Sequence, residues 1–147
     1  MFIEQGIIQR FIRNNHLDEG SDLQGYFDVL TVRQPYASML VSGVKKFEFR
    51  NYILPESFIS KPILIQAGAS PMSAKVEVSE GIYNYYLNYA KSNNLFGCIL
   101  GVVVFGVTEL SPSPVFYKYR WPIREYHQFR EPIRDIKGQQ KIWKITL

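Results

Sequence analysis

Residues 30–52 read LTVRQPYASMLVSGVKKFEFRNY, and within this stretch the hydrophobic period changes twice. The segment YFDVLTVR, residues 26–33, is β-rich, with Leu30 and Val32 on one face and Thr31 and Arg33 on the other, which predicts a strand. Pro35 then supplies a backbone angle suited to a first helical turn, residues 37–44 are mostly helix formers, and Gly43 marks a stop. PYASMLVSG is therefore a short helix. Alternation returns at once in KKFEFRNY, where Phe47 and Phe49 share one face and Lys46, Glu48 and Arg50 the other. That pattern predicts a second strand whose phenylalanines cover a core. Strand, helix and strand in so short a span make the chain α+β.

The flanks extend this reading. KPILIQAGAS, residues 61–70, is an apolar strand, and residues 78–91 form a tyrosine-rich helix expected to pack through Ile82, Tyr85, Tyr86 and Tyr89. GCILGVVVFGVTEL, residues 97–110, is β-branched and punctuated by glycine, which predicts one long, bent, buried strand turning a barrel corner. Residues 115–138 hold many aromatics and prolines and read as a loop-rich cover. QKIWKITL closes the chain as a strand with Trp143 in the core. Towards the N-terminus, Ile3, Ile7, Ile8, Phe11 and Ile12 lie at helical spacing, one apolar stripe that predicts core contact. The polar run NNHLDEGSDLQG follows as a linker with His16 solvated. The organisation is an N-terminal helix and linker over residues 1–25 and a small mixed β-barrel with flanking short helices over 26–147, without βαβ rhythm or internal repeat.

The 147 residues suffice for one hydrophobic core. A content of 46% hydrophobic and 20% charged residues excludes intrinsic disorder. The single cysteine, Cys98, rules out an intrachain disulfide and a cysteine-based zinc site, and its apolar setting predicts a buried inert thiol. The N-terminal residues contain neither a signal-peptide core nor a stretch able to span a membrane, so a cytoplasmic location is expected. Net charge is +4, but residues 1–30 hold two basic and five acidic residues, which leaves +7 on the rest. A positive main body favours polyanionic partners.

The run from Leu30 to Tyr52 resembles the opening of the ASCH domain, a family of the PUA-like group. There the first strand, helix and second strand read roughly L-x-[IV]-[RK]-x-P-[WY]-A and then G-x-K-x-x-E-x-R. Here those positions are Leu30, Val32, Arg33, Pro35, Tyr36 and Ala37, then Gly43, Lys45, Glu48 and Arg50. ILIQAGAS is similar to the family's third strand, with Gln66 where a histidine often stands, and EPIRDIKGQQKIWKI is similar to its ending at Pro132, Ile133, Gly138 and Trp143. The resemblance covers residues 28–147 and implies a PUA-like barrel with a ligand cleft.

The residues themselves suit such a cleft. Glu48 and Arg50 point the same way along a strand, so their heads can converge on a ligand or on each other. Lys45 lies where the short helix ends, a favourable place for a cation. With Arg33 from the neighbouring strand, and with Gln34 and Tyr36 beside it, the expected cleft is lined by Arg33, Lys45, Glu48 and Arg50. Cationic forks bind phosphate and a carboxylate accepts from a base amino group, a division suited to RNA or a modified nucleotide. Tyr36 either stacks on a base or packs the helix. Further on, Arg120, Arg124, Arg130 and Arg134 alternate with Tyr119, Trp121, Tyr126, His127 and Phe129, the interleaving that a single-stranded RNA surface uses and that a soluble barrel cover also shows.

Two other functions stay open. A bacterial subgroup similar to the ASCH family deacylates acetylated cytidine with a lysine, a threonine three positions later and a distant glutamate. Lys45 matches that lysine, but Glu48 stands in the threonine's place, so only a general-base role towards water is left for it, with Glu109 as a candidate distant acid. RNA cleavage would draw on Lys45, Tyr36 or His127. The third reading is a protein-interaction adaptor that docks through the N-terminal helix. No metal site and no cofactor are expected.

Overall fold

The computed structural model describes residues 6–18, 26–72, 78–113, 117–134 and 142–146, of which Tyr26 and 142–146 are described as backbone only. The strands are β1 (Tyr26–Val32), β2 (Phe47–Arg50), β3 (Pro62–Ala67), β4 (Ile99–Phe105), β5 (Glu109–Leu110), β6 (Tyr119–Ile133) and β7 (Ile142–Thr146). Among the described residues three α-helices accompany them, α1 (Ile7–Asn15), α2 (Tyr36–Val41) and α3 (Glu80–Ser92), with one 3-10 turn at Glu56–Phe58. The strands form one curled mixed sheet in the order β2-β6-β4-β3-β1-β7, with β5 added to β6. β1 and β3 run parallel, with Leu30 opposite Ile65, and the other pairs are antiparallel. This half-barrel with short helices is the α+β, PUA-like architecture that the sequence predicts.

Both faces of the sheet are covered. On one, Leu30, Ile63, Ile65, Val103 and Phe105 meet Met39 and Leu40 of α2 and Tyr83 of α3. On the other, Val29, Leu64, Val102 and Val104 meet Ile8 of α1 and Leu17 just beyond it. A strand between two cores must be apolar at every position rather than at alternate ones, which is why ILGVVVF of β4 is buried throughout. The chain then leaves the sheet at Gly106 and returns as β5, so residues 97–110 are two strands rather than the single long one expected.

Residues 119–133 differ most from expectation. They are not a loop-rich cover but the longest strand, whose first half pairs with β2 and β5 and whose second half pairs with β4. A bulge opposite Val104 and Phe105 lets the strand change which core it faces, so Trp121 and Ile123 meet the α2 side and Phe129 the α1 side. The helix α3 is also rotated from its predicted setting. Tyr83 and Ala90 are its buried residues, whereas Ile82, Tyr85 and Tyr89 are exposed. Ser79 caps it, its hydroxyl accepting from Ile82 N–H at 3.4 Å.

Helix α1 carries no side-chain cap of its own. Its first two amides, Ile7 and Ile8, instead donate to the carboxylate of Glu125 on β6 at 3.1 and 3.0 Å, which satisfies donors that a helix start otherwise leaves open. His16 ends the helix in a left-handed conformation and is exposed. The side chain of Trp143 and residue Gly138 lie outside what the structure describes. Among the described residues no helix is long and apolar enough to cross a membrane.

Candidate functional site

The site begins with the end of α2. Gly43 adopts φ 81°, a conformation that side chains resist, and turns the chain so that Lys45 N–H donates to Met39 O at 3.0 Å. This anchors Lys45 at the mouth of β2. From there Glu48 lies opposite Trp121 of β6 and Arg50 opposite Tyr119, so both side chains share the face that carries Trp121 into the core. The prediction that the phenylalanines of β2 face inward is thus reversed. Phe47 and Phe49 are half-buried on the outer face with Arg120, whose guanidinium lies 3.9 Å from the Phe47 ring centre, and the charged face points inside.

Inside, three charges pair completely. Lys45 Nζ donates to Glu48 Oε1 at 2.6 Å, and Arg50 donates to Glu48 Oε2 from Nε at 3.1 Å and Nη2 at 2.9 Å. Side-chain exposure is 4% for Lys45 and for Glu48 but 22% for Arg50, so the guanidinium is the member nearest solvent. Burial alone would raise the Glu48 pKa, yet the charges and hydrogen bonds of Lys45 and Arg50 outweigh it and hold the carboxyl below its ordinary 4.5. Burial likewise works against the Arg50 charge, and Glu48 outweighs it and raises the pKa. The cluster is therefore one anion between two cations, with a net positive charge.

Aromatic rings and one backbone carbonyl complete the setting. Lys45 Nζ lies 5.2 Å from the ring centre of Tyr36 and 5.6 Å from that of Phe49, within cation–π range. The Arg50 guanidinium lies 5.9 Å from the Trp121 ring and donates to Thr31 O at 3.1 Å. Thr31 hydroxyl donates to Gln66 Oε1 at 2.9 Å, and Gln66 Nε2 donates to Gly97 O at 3.2 Å, so a partly buried chain runs from the cluster across β1 and β3. Tyr52, packed edge-on to Trp121 at 5.2 Å, has its pKa raised, chiefly by burial.

Of the predicted lining residues, Lys45, Glu48, Arg50 and Tyr36 come together. Gln34 is fully buried and supports the fold, its Nε2 donating to Leu95 O at 2.9 Å and its Oε1 accepting from Ser38 N–H at 3.0 Å. Arg33 is exposed and lies along Gly68. Glu109 pairs with Arg120 at 3.0 Å on the Phe47 side of the sheet, the face opposite to Glu48. His127 sits on the α1 side, its Nε2 3.1 Å from Asp18 Oδ1. The four arginines occupy four settings: Arg120 on Phe47 and Glu109, Arg124 beside Gly106, Arg130 beside Asp18, and Arg134 at the C-terminal end of α3. Cys98 is buried, and that burial raises its pKa, as suits an inert thiol. Among the described residues no group of three His, Cys, Asp or Glu side chains could hold a metal ion. Sequence reasoning passed over Thr31 and Tyr52, and it set Trp121 among the aromatics of an RNA-facing surface, whereas the structure buries it. The register of β2 against β6, which no local pattern reveals, is what brings Trp121 to Glu48.

No family model matches the chain. It is similar to Activating signal cointegrator 1 of Homo sapiens, 29% identical over 153 aligned residues that cover 91% of this chain. The chain spans about a quarter, 24%, of that relative's length.

Proposed function

We propose that this chain is an ASCH-type module that binds RNA or a modified nucleotide, with Arg50 receiving an anionic or base-edge group and Lys45 and Glu48 fixing its guanidinium. One observation carries this reading: a buried charge cluster of net positive sign whose most exposed member is a guanidinium held flat by a carboxylate. Such a group is already oriented, so it loses little freedom when it takes a ligand. The excess of positive charge outside residues 1–30 and the resemblance of residues 30–52 to the ASCH opening support the same reading.

The hydrolase reading is weaker on chemical grounds. A general base works best when its pKa lies near the working pH. Glu48 is held the other way, below 4.5, with both oxygens engaged, and Lys45 is buried against it. Glu109 belongs to the other face.

The test is a salt titration of binding to short fluorescent single-stranded RNA, with wild type and Arg50→Gln. Wild-type affinity should fall as salt rises, and Arg50→Gln should weaken binding by about 1.5–3 kcal/mol, the worth of a hydrogen bond to a charged group. Unchanged affinity in a variant that keeps the wild-type circular dichroism would refute the site. In parallel, incubation with acetylated cytidine followed by chromatography should give no product. Product from wild type that is lost in Lys45→Met would establish the hydrolase instead.

A further inference from the structure

Away from the charge cluster, the C-terminal turn of α3 and the second half of β6 enclose a groove of about 150 Å³. A cavity of roughly that size takes a single aromatic ring, and it falls well short of the ~300 Å³ at which small-molecule sites begin. Its floor is apolar, formed by the buried Leu95 and Leu100. Tyr89, exposed by the unexpected rotation of α3, supplies a ring as one wall.

The polar groups of the groove are chosen and aimed. Asn93 Nδ2 donates to Tyr89 O at 2.9 Å, and Gln128 Nε2 donates to the Tyr89 hydroxyl at 3.3 Å. Each carboxamide is thus tied to Tyr89 through its nitrogen, with its oxygen left as an acceptor. Two guanidiniums complete the rim. Arg134 is held at the end of α3, donating to Asn94 O at 2.8 Å and Asn93 O at 3.4 Å. Arg130 is 84% exposed and only loosely paired with Asp18 at 3.4 Å, a contact worth little in water, so it is able to swing to a phosphate. Among the described residues no carboxylate lines the groove.

We infer that this groove is a one-base pocket: it takes a single unstacked nucleobase bearing an exocyclic amino group, from a strand of RNA whose phosphates lie on Arg130 and Arg134. A ring-sized slot with an apolar floor and an aromatic wall suits a base, two acceptor oxygens match the two hydrogens of an exocyclic amino group, and paired arginines suit a phosphate backbone. The inference shares with the proposed function only the class of ligand, because its residues are separate from Arg50.

The test uses the whole chain with cytidine and uridine monophosphates, followed by NMR of the methyl and ring signals of Leu95, Leu100 and Tyr89. Cytidine monophosphate should shift these signals at lower concentration than uridine monophosphate. For a short single-stranded RNA, Tyr89→Leu and Arg130→Ser should each weaken binding about fivefold or more, while Tyr89→Phe keeps it. Groove signals that ignore both nucleotides, or a Tyr89→Leu protein that binds RNA as wild type does, would overturn the pocket. So would a peptide carboxylate that shifts the signals where nucleotides do not. Loss of binding in Arg50→Gln with a silent groove defeats this inference alone, and the reverse pattern defeats only the Arg50 site.

Discussion

Glu48 sits where an unpaired carboxylate would be intolerable, and the two cations beside it explain both its presence and its fragility. Removing one partner of a buried ion pair leaves the other uncompensated, at about 3–5 kcal/mol, whereas replacing the whole pair with apolar groups of similar size can be neutral. Glu48→Gln should therefore lower unfolding stability in urea by about 3–5 kcal/mol, and Lys45→Met combined with Glu48→Leu should recover part of that loss, the remainder being the cost of leaving Arg50, the most exposed of the three, without its carboxylate. The pH dependence has a definite sign. Because folding lowers the Glu48 pKa below 4.5, its contribution is fully present above that value and is lost as pH falls through the folded pKa. The wild type should lose stability on acidification below about 4.5 more steeply than the apolar double variant; parallel curves would show that the cluster contributes nothing. At this scale the sequence was half legible. Alternation placed Glu48 and Arg50 together on one face, but it is symmetric and does not say which face is inside. Hydrophobicity pointed to the phenylalanines, and the buried ion pair overrode it.

Elements were legible where one signal dominated. Gly43 ended α2 as expected, because its φ of 81° is a left-handed conformation in which a side chain is strained. A Cβ there would also collide with the ring of Tyr126, yet that ring is half exposed and free to move aside, so backbone strain should dominate. Gly43→Ala is expected to cost about 1–2 kcal/mol in chemical denaturation, and adding Tyr126→Ser should return only a small part of it. Full recovery in the double variant would show that the ring, not the backbone, sets the requirement for glycine. Other elements misled for physical reasons. The four tyrosines and Ile82 spread around α3, so its apolar pattern pointed to the face of Ile82, Tyr85 and Tyr89, whereas the buried ring is Tyr83, which meets Tyr36 edge-on at 6.2 Å. Pro122 and Pro132 argued against a strand at 119–133. Pro122 is tolerated where it pairs with the edge strand β2, and Pro132 where the register with β4 shifts.

On the scale of the whole molecule, α1 decides whether residues before 26 are an accessory or part of the body. The apolar stripe of α1 was legible from its spacing, but its partner was not, since the β-strand face that it covers lies far along the chain. In the structure Ile8 and Leu17 are buried against Phe27, Val29, Leu64 and Phe129, and Glu125 holds the helix start. Asp18 adds two further ties to β6, accepting from Arg130 N–H at 2.7 Å and lying 3.1 Å from His127. Each fully buried aliphatic side chain of this kind is worth about 1.5–3 kcal/mol. Deleting residues 1–18 should therefore strip an apolar face of the sheet, lower the unfolding midpoint and promote self-association. An arm that docks to partners through α1 predicts the opposite, an unchanged midpoint with partner binding lost. Thermal unfolding of the truncated chain separates the two, and a melting temperature equal to that of the full chain would return α1 to the role of a free docking element. A milder variant isolates the anchor: Glu125→Ala should speed hydrogen exchange of the Ile7 and Ile8 amides and cost about 1 kcal/mol, as loss of a helix cap does. Together the two results would show whether the module that presents Arg50 is built on a sheet covered on both faces by its own chain.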